Sequence, residues 1–226
     1  MSDLVIKDNL YLFKLNKDMV IEFILNELYK KNKLIDKTII IPAIDYDALS
    51  YARAAYNKGY KSIIVLPNNA NEKILNELYN YKIDIVLTPF SLGFEALIDM
   101  ANDMKLEIEN SIVLNLYEEK LNVSSYLKLI GPMIFDMVKD FNYLICPIET
   151  GGAVAGLGKY FKMKNECHVI GLSNGDNHSE LLDDDLIDEI IELNDLRYDT
   201  VYEYAKSFMS NNINEKALVI FDIKKL

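Results

Sequence analysis

Glycine and proline are scarce in this chain, at 9 and 5 of 226 residues. With half of the residues apolar and 26% charged, that scarcity excludes disorder, collagen-like repeats and low-complexity linkers. Cysteine occurs only as Cys146 and Cys167, too few for a disulfide framework. Positive charge is the minority: Lys and Arg total 24 against 35 Asp and Glu, a net charge of −11. A chain this acidic repels nucleic acid and anionic membrane, so neither is expected as a partner. No apolar run approaches the ~20 residues of a membrane helix. Asp3, Lys7 and Asp8 interrupt the charged-then-apolar layout of a signal peptide. The expectation is a soluble, cytoplasmic protein. Arginine is confined to Arg53 and Arg197, a skew that carries no functional weight.

What the chain does contain is alternation. Apolar runs rich in β-branched and aromatic residues predict strands at 10–14, 38–41, 62–66, 83–87, 111–116, 143–146, 168–172, 189–193 and 217–221. Between them lie segments with helical spacing: 18–31, 47–57, 71–79, 94–104, 126–139, 154–164 and 200–209. In the first of these Ile21, Ile24, Leu25 and Leu28 mark one apolar face. Nearly continuous apolar strands alternating with helices imply a parallel sheet covered on both faces. The length suits one large domain or two small lobes. The most polar stretch, 173–185, lies between two late strands.

Three segments have the residue types for chemistry. In Asn16-Lys17-Asp18, Asn16 suits an N-cap and Asp18 the first turn of a helix. Lys17 opposes the helix dipole, whose field favours a free, nucleophilic amine; a solvated surface lysine is the plainer reading. In Glu149-Thr150-Gly151-Gly152-Ala153 a strand ends and a helix begins, so backbone N–H groups there suit a phosphate. A tight turn needs the same glycines, and the Glu149 carboxylate would repel an anion. In Ala43-Ile44-Asp45-Tyr46-Asp47 another strand turns into a helix, where parallel sheets hold ligands. Asp45 and Asp47 suit a cation or a proton there, though capping of the following helix is the plainer role. Cys167 and His168 are strand neighbours pointing to opposite faces and cannot readily chelate one metal. His178 stands alone, the run 183–185 reads as solvated charge, and no hydrolase triad is visible.

Taken in register, these segments resemble the cysteine synthases, within the tryptophan-synthase-β-like (fold type II) pyridoxal-phosphate enzymes. The stretch from Thr150 to Phe161 is similar to their phosphate loop, Gly-Thr-Gly-Gly-Thr, and the helix after it. Residues 52–67 resemble their helix–strand unit with Lys-Gly-Tyr before a strand ending in Pro. Residues 85–89 and Gly131-Pro132 also fall in place, and Lys17-Asp18 resembles the Lys-Asp whose lysine carries the cofactor. Order and spacing agree over residues 10–172. The resemblance implies a larger lobe of residues 1–36 and 124–226, with a smaller lobe, 37–123, inserted in it. A ligand is expected in the cleft between them, with Lys17 meeting Gly151 and Gly152 across it, and a homodimer is expected.

The departures are as specific. The family's substrate loop, Thr-Ser-Gly-Asn-Thr-Gly, falls on residues 43–48, and all six differ. Its asparagine, which holds the cofactor ring oxygen, is Tyr46, and its small polar residues are Ala43 and Ile44. Glu149 replaces the first Gly of the phosphate loop, Ala153 replaces the last Thr, and Met19 replaces the arginine after Lys-Asp. The late serine segment that meets the pyridine nitrogen is missing. PLP catalysis needs an aldimine lysine, a phosphate anchor, an oriented ring and a partner for the ring nitrogen. Lys17 supplies the first, and Thr150, Gly151, Gly152 and Ala153 part of the second. Two expectations follow. The favoured one is a degenerate relative that binds pyridoxal phosphate weakly or not at all, and binds another small ligand or a protein partner. The other is a working enzyme for β-elimination or β-replacement on a serine-derived amino acid.

Overall fold

The structure is a computed structural model that describes residues 3–175, 180–182 and 184–222; His178 and Asp183 lie outside these. It divides into two compact units, one of residues 17–115 and one of residues 1–16 with 116–226.

The unit of residues 17–115 is built on four parallel strands. They are β3 (Thr38–Pro42), β4 (Ser62–Pro67), β5 (Asp84–Thr88) and β6 (Ser111–Val113), in the order β5-β4-β3-β6. Every residue of β3 is buried, which is why Thr-Ile-Ile-Ile-Pro shows no polar alternation. Helix α4 (Glu95–Glu107) lays Leu97 and Ala101 against Ile40, Ile63 and Val65. Helix α1 (Lys17–Lys30) packs on α2 (Asp45–Lys58), and α3 (Glu72–Leu78) packs on α2 as well. Gly59 ends α2 in the left-handed region, at φ 71°, and its N–H caps Ala55 and Tyr56 carbonyls.

The other unit holds six strands in the order β1-β2-β10-β7-β8-β9. These are β1 (Asp3–Lys7), β2 (Leu10–Leu15), β7 (Tyr143–Pro147), β8 (His168–Ser173), β9 (Glu189–Glu192) and β10 (Ala217–Asp222). All neighbours are parallel except β1, which forms a hairpin with β2. The last strand sits between β2 and β7, pairing Val219 with Leu12 on one side and Ile145 on the other. One face carries Leu12, Ile145, Ile170 and Val219 against Val201, Ala205 and Met209 of α8 (Tyr198–Ser210). Phe13, Leu144, Val169 and Leu218, the alternate residues, are equally buried. Helix α7 (Gly152–Asn165) packs on β7 and β8.

The helix expected over 126–139 is two pieces, a π-helical turn (Tyr126–Ile130) and α6 (Gly131–Met137), and it follows directly on a helix that was not expected, α5 (Lys120–Ser125). Gly131 N–H bonds to Tyr126 O, an i to i−5 step. Pro132 then has no N–H to continue the ordinary ladder. The strand expected over 111–116 stops at Val113, and β1 was not expected. Among the described residues no helix is long and apolar enough to cross a membrane.

Helix α7 lies unusually close to the α5 segment. A methyl group on Gly156 would stand 2.5 Å from Tyr126 Cβ and 2.6 Å from the Val123 carbonyl oxygen. Backbone cannot yield as a side-chain tip can. Gly156→Ala is therefore expected to lose about 2 kcal/mol, or roughly 4–8 °C in Tm, despite the better helix propensity of alanine. Gly158→Ala is the control: its nearest neighbour, Val169 Cγ1, is 3.4 Å away. Thermal unfolding of the two variants checks the difference.

Candidate functional site

Lys17 is the first residue of α1 and is buried, at 8% exposure. It is not a solvated surface lysine. Its Nζ donates to Asp47 Oδ1 at 2.6 Å, in a salt bridge whose side chains are 10% and 14% exposed. Asp47 stands in the first turn of α2, where the helix dipole favours a carboxylate. The structure thus brings together one expected catalytic residue and one expected substrate-loop residue. The role expected for Asp47 as a cap is corrected: the N-cap of α2 is Ile44, extended and without a side-chain cap bond.

The rest of that loop is largely apolar where it is buried. Ala43 is buried at 3% exposure, its N–H bonded to Val65 O, and Tyr46 is 37% exposed. The side chain of Asp45 lies outside those described. Asp18, next to Lys17, forms an ion pair with Arg53 of α2. Arg53 also donates to Tyr81 Oη and Glu77 Oε1, both at 3.4 Å. Partial burial pulls the Arg53 guanidinium down, but its bonds to Tyr81 and Asp18 outweigh this and hold it further above its ordinary range. Arg53 was in plain sight as one of two arginines, but no local pattern ties it to Asp18, 35 residues away.

In the other unit, Gly151 caps α7 at φ 75°, a left-handed conformation that glycine takes at no steric cost. The first bond of the helix runs from Ala155 N–H to Gly151 O. The amides of Gly152, Ala153 and Val154 precede it and have no intrahelical acceptor. Thr150 is buried, and its Oγ1 accepts from Asn122 Nδ2 at 2.8 Å; the same Nδ2 donates to Leu116 O at 3.0 Å. A Cβ on Gly152 would fall 2.4 Å from the Asn122 side chain. Gly152 therefore also has a packing reason to be glycine. Asn122 was not expected; it lies 28 residues before Thr150 on α5, and no spacing rule connects them.

Glu149 is half-buried. Burial pushes the Cys146 thiol up, and the nearby Glu149 carboxylate pushes it further. Cys167 is pushed up to about 12, mainly by burial. Both are free and buried, so neither is a nucleophile at neutral pH. Cys167 precedes β8 and His168 begins it. No group of three or more His, Cys, Asp or Glu among the described residues can hold a metal ion.

A family profile described as "Pyridoxal-phosphate dependent enzyme" matches residues 16–197. The chain is 30% identical over 130 residues to cysteine synthase of Flavobacterium sp., covering 57% of this chain and 42% of that protein. It is 26% identical over 221 residues to cysteine synthase B of Campylobacter jejuni, covering 88% and 74%. It is 31% identical over 129 residues to cystathionine beta-synthase of Apis mellifera, covering 55% and 26%. The chain thus spans less than half of the first and third of these relatives. Among solved structures it is similar to the O-acetylserine dependent cystathionine beta-synthase of Helicobacter pylori, with TM-score 0.85 and 17% identity over 97% of this chain and 91% of that one. A hydrogen sulfide-producing enzyme of Fusobacterium nucleatum gives TM-score 0.83 and 18% identity, covering 97% and 93%. At such identities the likeness is one of fold.

Proposed function

The chain belongs to the pyridoxal-phosphate dependent enzyme family, in its cysteine-synthase-like, fold type II branch. From that premise we propose that it is a degenerate member, which keeps the scaffold, binds pyridoxal phosphate weakly or not at all, and binds a small ligand or a protein partner instead.

The observation that carries this reading is the 2.6 Å bond from Lys17 Nζ to Asp47. The lysine position that holds the cofactor in the resembled family is here engaged by a carboxylate, at a loop position where that family has threonine. A charge-assisted bond of this length must be broken before the amine can attack a carbonyl. The remaining residues fit the cofactor no better. Ala43 and Ile44 offer no side-chain donor to a substrate carboxylate. Tyr46 cannot reproduce the asparagine contact to the ring. Glu149 sets a half-buried carboxylate beside the turn that would hold a phosphate. When bound, the cofactor supplies an electron sink for carbanion chemistry; the position whose asparagine orients its ring in the resembled family is Tyr46 here.

The alternative, an active lyase or synthase on a serine-derived amino acid, is favoured by what is retained. Lys17 is buried at a helix start, and the αL Gly151 opens a helix whose first amides suit an anion.

One spectrum separates the two. Mixed with pyridoxal phosphate, the protein is expected to show no stable absorption band of lysine-bound cofactor and no turnover of O-acetylserine with sulfide. A stable band that disappears in Lys17→Ala would overturn the degenerate reading and establish the enzyme one.

A further inference from the structure

The amino-terminal edge of the six-stranded sheet carries an open cavity of about 470 Å³, within the size range of small-molecule sites. It lies at the start of β7 and β8, the opposite end of those strands from the Gly151 turn. Tyr143 and His168, the first residues of the two strands, line it together with Phe208 of α8. Tyr143 stands edge-on to both rings, with centroids 5.0 Å from Phe208 and 5.9 Å from His168.

The charged groups on the rim are of one sign. Glu166, the left-handed cap at the end of α7, and Glu215, just before β10, both line the cavity. The neighbouring Glu215 pushes the Tyr143 hydroxyl up from its ordinary range, and one Glu215 oxygen, Oε2, is shut off from solvent with no hydrogen-bond partner. The nearest cation in sequence, Lys216, is turned to Asp140 at 2.6 Å. His168 Nδ1 lies 3.8 Å from Asp188, which also holds Lys162 and the Val169 N–H. Three asparagines also line the cavity; Asn142 Oδ1 accepts from the Lys216 N–H at 3.0 Å. Asn165 and Asn212 turn their amide nitrogens to the Lys139 and Phe208 carbonyls, both at 2.9 Å, which leaves their oxygens to accept.

Carboxylates and amide oxygens around aromatic rings are complementary to a nitrogen cation on a short apolar stem. A metal ion is the poorer fit, because no three metal-ligating side chains converge among the described residues. We propose that this cavity binds a small organic cation, a molecule bearing a guanidinium or primary ammonium group. The site is independent of the Lys17 and Gly151 segments, so it stands or falls apart from the degenerate reading.

The test is a titration of the full chain with agmatine, followed by calorimetry and by NMR of the His168 ring. Saturable binding is expected, with a shift of the His168 signals. In Glu166→Gln/Glu215→Gln it is expected to be at least roughly tenfold weaker. Pentanol of similar stem length should not compete; because this arm uses the unaltered protein, it holds even if the variant fails to fold. Equal binding of agmatine and pentanol, or no saturable binding of agmatine, overturns the proposal. The guanidinium of a protein partner is tested with the peptide acetyl-Gly-Arg-Gly-amide. Weaker binding than agmatine is expected, and tighter binding overturns the assignment to a small molecule.

Discussion

Asp47→Leu is expected to cost about 3 kcal/mol of folding stability, the low end of what breaking a buried pair removes. The substitution deprives a Lys17 ammonium that is only 10% exposed of its carboxylate. It also removes a negative charge from the first turn of α2, where the dipole favours one. Lys17→Met should cost a similar amount, because it leaves the charge on the other side. Lys17→Met/Asp47→Leu is expected to recover most of the loss, since an apolar pair of similar volume carries no desolvation penalty. Urea unfolding of the four proteins closes a double-mutant cycle. A coupling below about 0.5 kcal/mol, the scale of an exposed ion pair, would contradict the view that Lys17 now serves the fold.

The second large effect is a gain. Glu149→Gly with Tyr46→Asn, and Asp47→Thr to release Lys17, is expected to raise affinity for pyridoxal phosphate roughly hundredfold. The size follows from charge. A carboxylate ~4 Å from a phosphate oxygen costs about 4 kcal/mol per charge pair at an effective dielectric of 20, so removing it and restoring the ring contact supports a change of two decades or more. Absorption titrations of the unaltered protein and the triple variant check it. If the variant binds no better, these three residues do not set the affinity for pyridoxal phosphate.

Legibility followed locality. Residues 144–146 and 63–66 announced strands because both of their faces are buried, and burial on both faces leaves an unbroken apolar run. The edge strand β1 did not, since Val5 and Ile6 are 39% and 61% exposed and charges flank them. The broken helix around Gly131-Pro132 was legible only in part: proline marks a break, but not the i to i−5 turn before it. The contacts that decide how the candidate segments behave are long-range. Asp47 reaches Lys17 across 30 residues and Asn122 reaches Thr150 across 28, and no periodicity encodes either. The glycines of the 151–156 turn were visible as a motif. That Gly152 and Gly156 also admit Asn122 and Tyr126 needed the packed helices.

The position of β10 has a consequence for the order in which the protein is made. Residues 17–115 are one continuous stretch, and their sheet is complete once β6 has been synthesised. The six-stranded sheet is not: its central strand comes from residues 217–222, about 200 positions after its partner β2. On the ribosome β2 and β7 have an unfilled lane between them from the end of β7 at Pro147 to the start of β10 at Ala217, a stretch of about 70 residues that at ~5–20 residues per second lasts several seconds. Loop closure over such a distance is slow. A chain stopped short of Ala217 exposes two apolar strand edges and is the species most prone to aggregate.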